Sequence, residues 1–177
     1  MRSSAWGFSS ETDVSLVYKP LAEMSDEEWA KAHEAFYSLK LTRKMGGNTD
    51  YVVPPLQEFY NTMMDEIEAE RLIGWAIIRD GEYIGHTVLV NTPGEWEIGV
   101  ALANEEDWGS GLGIRAGLYA LRFAFEELGA QQVIAFAYNP DGEARDYIKR
   151  VGFRPMMNFL MMPVEVWNAK WKGRVKG

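Results

Sequence analysis

Apolar and polar residues alternate or recur with different periods along the chain, and each change of period marks a new element. Residues 14–18 alternate well enough to predict a first strand. Ser25 stands three positions before Glu28, which is the spacing of a helix capping box. Apolar residues then recur at helical intervals, so we predict a helix that extends to about Leu41. A strand followed by a helix therefore begins the ordered part of the chain.

The next segments predict a second helix and a group of strands. The two prolines at 54–55 can begin the helix, because proline is well tolerated in a first turn. The segment 71–102 is instead rich in apolar and β-branched residues, with turn sequences at 80–81 (Asp-Gly) and 92–94 (Thr-Pro-Gly). Asp-Gly is a strong hairpin signal. The segment therefore predicts three strands in an antiparallel meander.

The second half of the chain returns to helical spacing and adds further strands. Apolar residues between 114 and 128 recur at steps of four and three, which predicts a helix. A short strand at 132–138 follows, then a helix at 143–150 and a tail at 153–167 whose β-rich pieces are broken by prolines. The strand, helix and strand within 95–139 predict a right-handed crossover in a mixed sheet.

Length and composition are typical of one soluble globular domain. The chain has 177 residues, of which 47% are hydrophobic and 25% charged. We expect a flexible arm at 1–13, rich in serine, and a single domain at 14–177. No apolar run approaches the roughly 18 residues that cross a bilayer, and the first residues lack the apolar core of a signal peptide. We therefore expect a cytoplasmic protein with no membrane partner.

Charge and side-chain chemistry exclude several classes of function. The formal net charge of −8 disfavours nucleic acid as a partner, because nucleic acid requires a basic surface. The charge favours cationic small molecules or basic peptides, although solubility alone explains it equally well. The absence of cysteine excludes disulfides, thiolate zinc sites and a cysteine nucleophile. His33 and His86 are 53 positions apart, so we expect no metal site.

The sequence Trp-Gly-Ser-Gly-Leu-Gly at 108–113 carries the strongest functional signal. It places three glycines at alternate positions between a predicted strand and a predicted helix. Glycine lets a backbone approach a ligand closely, and the first turn of a helix offers free N–H groups. Such a loop can hold a pyrophosphate, although a tight strand–helix turn can also require glycine for steric reasons alone.

Two general phosphate-binding motifs fit this loop poorly. A P-loop is excluded because Gly113 is followed by Ile114 and Arg115 rather than by lysine and a hydroxyl residue. A dinucleotide fingerprint expects a glycine at position 114 and a preceding parallel unit, whereas the loop follows an antiparallel meander. An acidic residue, Asp141, does lie downstream, so the dinucleotide interpretation is weakened and stays open.

The loop resembles motif A of the GNAT acetyltransferases, which is written Gln/Arg-x-x-Gly-x-Gly/Ala. Gly111 and Gly113 match both glycines of the motif, whereas Trp108 stands where the family has glutamine or arginine. The Trp-Gly-x-Gly form looks like the branch that acetylates the N-termini of ribosomal proteins. The sequence Glu-Ile-Gly at 97–99 is similar to that branch too.

The resemblance covers nearly the whole chain, from about Val14 to Trp167. Asn139, a short helix and the sequence Val-Gly-Phe at 151–153 look like the family's final signature, at a slightly longer interval than usual. The resemblance implies an α/β (α+β) fold, in which a mixed, mostly antiparallel sheet of six to seven strands is flanked by about four helices. It also implies acetyl-CoA as the cofactor, with coenzyme A as the product.

The family pattern assigns the cofactor to three parts of the chain. Backbone groups at the end of the strand before the loop would hold the pantetheine arm, at Leu102, Ala103 and Asn104. The loop would hold the pyrophosphate, through Trp108, Gly109, Ser110, Gly111, Leu112, Gly113 and Ile114. Asn139 would contact the arm from the neighbouring strand.

Acetyl transfer to an amine requires loss of a proton, stabilisation of an oxyanion and departure of a thiolate. Glu97 is our candidate base, acting directly or through water; the alternative is an exposed strand carboxylate without a catalytic role. The family often has a tyrosine four residues before the final glycine, where this chain has Ile148. Tyr147 is our candidate acid, although a shift of one residue rotates a helical side chain by about 100° and packing is the alternative.

Aromatic and methionine side chains are candidates for the acceptor pocket. The two early helices, which flank the acceptor in the family, carry Phe36, Tyr37, Phe59 and Tyr60. Their rings can receive the cation of an amine. The methionine pairs at 156–157 and 161–162 can line an adaptable pocket. For both groups the alternative is packing in the core.

The resemblance therefore implies an N-acetyltransferase that moves an acetyl group from acetyl-CoA to a primary amine of a small molecule, peptide or protein. A second hypothesis is a catalytically silent acyl-CoA-binding or protein-interaction domain on the same fold, which the departures at Trp108 and Ile148 keep open. The apolar tail with Trp167 and Trp171 also favours a homodimer.

Overall fold

A seven-stranded sheet forms the centre of the fold in a computed structural model that describes residues 16–45, 48–136, 143–157 and 159–175. Within these ranges the side chains of residues 44, 45, 143, 144 and 147 are not described. The strands are β1 (Leu16–Pro20), β2 (Leu72–Arg79), β3 (Glu82–Thr92), β4 (Glu95–Leu102), β5 (Gln132–Ala135), β6 (Arg154–Met156) and β7 (Phe159–Pro163). The arm at 1–13 and Asn139 lie outside the described residues.

The strand order is β1-β2-β3-β4-β5-β7-β6, and all neighbours are antiparallel except β4 and β5. The mixed, mostly antiparallel sheet is therefore confirmed. The parallel pair is the crossover that the strand–helix–strand order predicted. It divides the sheet into a meander, β1 to β4, and a second half formed by β5, β7 and β6.

Six α-helices flank the sheet in the described part of the chain, where the sequence predicted about four. They are α1 (Asp26–Phe36), α2 (Leu39–Met45), α3 (Leu56–Glu68), α4 (Leu112–Arg122), α5 (Glu143–Val151) and α6 (Val164–Lys170). The helices α1 and α3 pack on one face of the meander. The helices α4 to α6 contribute to a core on the opposite face.

Two features explain the additional helices. The predicted first helix is interrupted, because α1 ends at Phe36 and the Ser38 hydroxyl accepts a hydrogen bond from the Leu41 N–H, 3.3 Å away, in the first turn of α2. The tail, which was predicted to be β-rich, contains α6. Pro163 precedes α6 in an extended conformation and so marks the start of this helix rather than a break within strands.

Local turn and cap signals are confirmed. The Ser25 hydroxyl accepts from the Glu28 N–H and the Glu28 carboxylate accepts from the Ser25 N–H, which forms the predicted capping box. Asp80 and Gly81 join β2 and β3 with φ angles of 53° and 81°. Positive φ angles at both positions match the hairpin turn that Asp-Gly favours.

The C-terminal tryptophans belong to the core of their own chain. Trp167 is fully buried and Trp171 nearly so, in the cluster beneath α4 and α5. They are therefore not available as the exposed apolar surface on which the homodimer prediction rested. None of the helices within the described ranges is both long and apolar enough to cross a membrane.

Candidate functional site

Among the described residues the pairing between β4 and β5 is short, and β4 has no strand partner there beyond Glu97. Only Trp96 and Glu97 are paired with β5, although β4 continues to Leu102. Ala103 donates to the Ile84 carbonyl at 2.9 Å, and hydrogen-bonded pairs alternate along an antiparallel ladder. It follows that Val100 directs its N–H and C=O away from β3, toward the side on which the described residues of β5 pair only with Trp96 and Glu97. We call this side of β4, beyond Glu97, the β4–β5 gap.

The glycine loop lies next to this gap and has the backbone conformation that the sequence predicted. Gly109 and Gly111 have φ angles of 77° and 87°, a region that favours glycine. A Cβ atom at either position would meet no other atom within 4 Å. The two glycines therefore do not fill a crowded turn: they leave one side of the loop open to a ligand.

The loop leads directly into the N-terminus of α4. Gly111 is the N-cap and cannot provide a side-chain cap, and the first backbone bond of the helix joins the Arg115 N–H to the Gly111 carbonyl at 3.1 Å. The Leu112 N–H donates to the Ser110 hydroxyl at 3.3 Å. The N–H groups of Gly113 and Ile114 have no hydrogen-bond partner within the described chain. These amides, at the positive end of the helix dipole, fit a pyrophosphate.

An ion pair that the sequence analysis missed anchors the loop to the sheet. Asp107 is buried and accepts two hydrogen bonds from the Arg79 guanidinium, at 2.5 and 3.1 Å. The Asn104 amide donates to the same carboxylate at 3.3 Å. The hydrogen bond from Arg79 to Asp107 raises the pKa of the guanidinium. Nothing in the local sequence distinguishes Asp107 from the adjacent Glu105 and Glu106, so this contact had no sequence signal.

Trp108 closes the loop onto β4. Its indole N–H donates to the Leu102 carbonyl at 3.0 Å, and its backbone N–H donates to the Glu105 carbonyl at 3.1 Å. The tryptophan that replaces the family's polar residue therefore holds the loop in place by both groups. Since the Leu102 carbonyl and the Ala103 N–H already have partners, the polar groups of Val100 are better placed for a pantetheine arm than those of the predicted residues.

Glu97 lies on the opposite face of β4 from α4. The side chains of Ile98 and Val100 face Gly117 of α4, so residues at odd positions point to the side of α1 and α3. Glu97 is partly exposed and has no hydrogen-bond or ion-pair partner among the described side chains. Burial raises the pKa of its carboxyl group. A carboxylate of raised pKa beside the β4–β5 gap is suited to accept a proton.

The predicted aromatic residues of α1 and α3 form one cluster. Phe36, Tyr37 and Phe59 have ring centroids 5.4–6.0 Å apart, and Tyr60 packs edge-on against Trp29 at 5.3 Å. The Phe36 ring stays 43% exposed. The cluster therefore combines packing in the core, which was the alternative, with an accessible aromatic surface.

His86 supports the exposed ring of this cluster. The His86 ring stacks on Phe36 at 5.2 Å, and its Nδ1 lies 2.7 Å from the Tyr83 hydroxyl. Burial lowers the pKa of His86 to about 4 and raises that of Tyr83. The imidazole is therefore neutral at physiological pH and packs within the aromatic cluster. His33 lies 2.8 Å from the Pro54 carbonyl through its Nε2.

The methionine pairs are divided between two environments. Met162 is fully buried in the core beneath α4, while Met161 and Phe159 alternate to the other face of β7. Met156 is exposed, and Met157 is 98% exposed at the turn between β6 and β7. Tyr147 belongs to α5, but its side chain is not described. Its assignment as the acid, like that of Asn139 to the cofactor, stays a prediction.

Comparison with known proteins agrees with this arrangement. The family model described as acetyltransferase (GNAT) domain matches residues 19–154. A solved aminoglycoside acetyltransferase in complex with coenzyme A superposes with a TM-score of 0.70 at 16% identity, covering 88% of this chain and 99% of that one. A spermidine N-acetyltransferase from Vibrio cholerae, solved with coenzyme A and spermine, has a TM-score of 0.71 at 12% identity, covering 86% and 98%. The resemblance to the ribosomal-protein branch finds no support among these relatives.

Proposed function

The chain belongs to the acetyltransferase (GNAT) domain family, and on that premise we propose that it transfers the acetyl group of acetyl-CoA to a primary amine. The observation that carries the proposal is a continuous arrangement of three features. These features are the open N-terminus of α4, the edge of β4 at Val100 that has no partner among the described residues, and the half-buried carboxylate of Glu97, and they follow one another along a single strand and loop.

The first two features support a site for the donor. The Gly113 and Ile114 amides would hold the pyrophosphate, beside the open side of Gly109 and Gly111. The N–H and C=O of Val100, in the β4–β5 gap, would hold the pantetheine arm. Acetyl-CoA supplies the acetyl group as a thioester. A donor bound along this path would bring its thioester toward the part of β4 that carries Glu97.

The third feature, the Glu97 carboxylate, removes a proton from the acceptor amine. An amine is protonated at neutral pH, and its nitrogen can attack only after it loses a proton. Glu97 accepts this proton, directly or through a water molecule. The nitrogen then forms a bond to the acetyl carbon, the carbon–sulfur bond breaks, and coenzyme A leaves as a thiolate. This thiolate takes up the second proton, which the nitrogen loses as the amide forms.

The names of the structural neighbours support an amine as the acceptor. One neighbour is an aminoglycoside acetyltransferase and another a spermidine N-acetyltransferase. The acidic charge of this chain suits a cationic acceptor as well. A small molecule and a peptide amine both fit this chemistry.

Release of free thiol from acetyl-CoA in the presence of single amines tests the proposal. The panel contains simple monoamines, polyamines, aminoglycosides and short peptides, and mass spectrometry identifies the acetylated product. We expect thiol release that depends on the amine and yields an N-acetyl product. Calorimetric binding of acetyl-CoA without thiol release for any amine would contradict transfer and favour the silent acyl-CoA-binding domain.

A further inference from the structure

We interpret the face of β4 that presents Glu97 as the floor of a groove. Gly99 and Ala101 follow Glu97 on this face, and all three are partly exposed. The distance from Glu97 to Ala101 along the strand is about 13 Å. Because Gly99 and Ala101 have no long side chain, the floor stays open beside the carboxylate.

Aromatic residues of α1 form one wall of this groove. Phe36 stacks on His86, which is the cross-strand partner of Ala101. Cross-strand partners share a face of the sheet, so the Phe36 ring stands beside the far end of the floor. Its 43% exposure leaves it able to contact a molecule that lies on Gly99 and Ala101.

Apolar residues of the second half of the sheet form the other wall. Ile134 is paired with Glu97 across the β4–β5 junction and with Met161 across the β5–β7 junction. Phe136 and Phe159, with ring centroids 6.2 Å apart, continue this wall beyond the point where the strands diverge. The carboxylate of Glu97 therefore lies between two apolar walls.

The charges along the floor limit the number of positive charges that the acceptor can carry. Glu95 and Glu97 are the acidic residues on this face of β4, and the Glu95 carboxylate already accepts a hydrogen bond from the Gln132 amide. The pKa of Glu97 is raised by burial, with no resolved contribution from another carboxylate. Because Glu95 lies at the opposite end of the floor from Ala101, a second positive charge toward Ala101 would contact the apolar Phe36 ring and lose its hydration with no carboxylate of β4 beside it.

Resting on the function proposed above, we propose that the preferred acceptor is a primary amine with a single positive charge and an aromatic or branched apolar body. The amine meets Glu97, and the apolar body lies along Gly99 and Ala101 between Phe36 and Phe159. This preference differs from the acceptors named for the structural neighbours, since spermidine and aminoglycosides carry several positive charges.

The value of kcat/KM for four amines at saturating acetyl-CoA tests the inference with the full-length protein. The amines are 2-phenylethylamine, butylamine, spermidine and kanamycin. We expect 2-phenylethylamine to exceed each of the others by about tenfold or more, which is in the range that one apolar pocket can discriminate. A preference for spermidine or kanamycin would overturn the inference while it left the proposed function intact.

Substitutions in the walls identify the source of the preference. We expect Phe36→Ala and Phe159→Ala each to reduce the ratio of kcat/KM between 2-phenylethylamine and butylamine several-fold, mainly through KM. Leu128→Ala removes an exposed apolar side chain at the end of the segment that follows α4, and it should leave the ratio unchanged. Thermal melting establishes that each variant is folded, and Met161→Ala replaces either phenylalanine variant that is not.

Two further outcomes would count against the inference. An unchanged ratio in the folded wall variants would overturn it, even if the aromatic amine were preferred. If no amine is acetylated while acetyl-CoA still binds, the proposed function fails and the acceptor preference fails with it.

Discussion

Glu97 shows how the environment of one side chain sets its chemistry. A glutamate carboxyl group in water has a pKa of 4.5. Partial burial raises the pKa of Glu97 above this value. The raised pKa makes the carboxylate a stronger proton acceptor. The base must be ionised to act, so activity should fall as the pH falls through this raised pKa.

We therefore expect an acidic limb in the pH profile of kcat/KM with a midpoint above 4.5. Glu97→Gln should remove that limb and lower the rate by roughly 10²–10⁴-fold, the usual contribution of a general base. Glu95→Gln, two positions earlier on the same face, is the matched control and should keep the limb. A wild-type limb in Glu97→Gln would remove this residue from the mechanism.

Asp107 anchors the start of the glycine loop to the sheet. Its buried carboxylate fixes the start of the glycine loop to Arg79 at the end of β2. Asp107→Asn should cost about 1–3 kcal/mol of the free energy of unfolding, because it weakens a buried charged hydrogen bond. The loosened loop should also bind coenzyme A more weakly.

Urea denaturation and titration calorimetry measure these two effects of Asp107→Asn. Glu66→Gln is the control, since Glu66 makes a similar two-bonded pair with Arg71 on the exposed surface. That variant should change neither quantity appreciably, because exposed ion pairs contribute little. Equal losses in both variants would show that the pair at Asp107 has no special role in the loop.

At the scale of elements, the effect of the turn into α4 on coenzyme A binding can be separated from its effect on stability. Gly111 has a φ of 87° with open space where a Cβ would stand, and Gly94 between β3 and β4 has a φ of 90° and the same open space. Alanine at either position should cost about 1 kcal/mol of the free energy of unfolding through backbone strain. Only the Cβ at Gly111 would also point toward the phosphates.

We therefore expect Gly111→Ala to weaken coenzyme A binding and Gly94→Ala to leave it unchanged, at similar losses of stability. Calorimetric Kd values and denaturation midpoints for the two variants provide the comparison. If both variants bound coenzyme A like the wild type, the open side of the loop would not be the cofactor side.

The elements that could be predicted are those with local signals. The capping box at Ser25, the hairpin at residues 80–81 and the glycine loop each depend on neighbours within a few positions. The break after α1 and the start of α6 could not be predicted, because the same short sequences are compatible with a continued helix or a strand. The anchor between Arg79 and Asp107 spans 28 positions and required the assembled sheet.

At the scale of the whole molecule, the candidate base lies on one strand but its surroundings come from distant parts of the chain. The sequence predicted β4 and the loop, and it offered Glu97 as the candidate base. It could not predict that Phe36 and Phe159, which are far apart in the chain, stand on either side of Glu97's face. That arrangement depends on strand order and on the point where β4 and β5 diverge.

The divergence of β4 and β5 has a consequence for how the protein behaves when no donor is bound. Unpaired N–H and C=O groups along a strand are a template for pairing with another chain, and among the described residues such groups lie at Val100 in the middle of the sheet. If acetyl-CoA binds as we propose, its pantetheine arm would form hydrogen bonds with these groups in place of a neighbouring strand. Coenzyme A should slow hydrogen exchange at the Val100 amide and reduce concentration-dependent aggregation, measured by mass spectrometry and light scattering, while NAD at the same concentration should do neither.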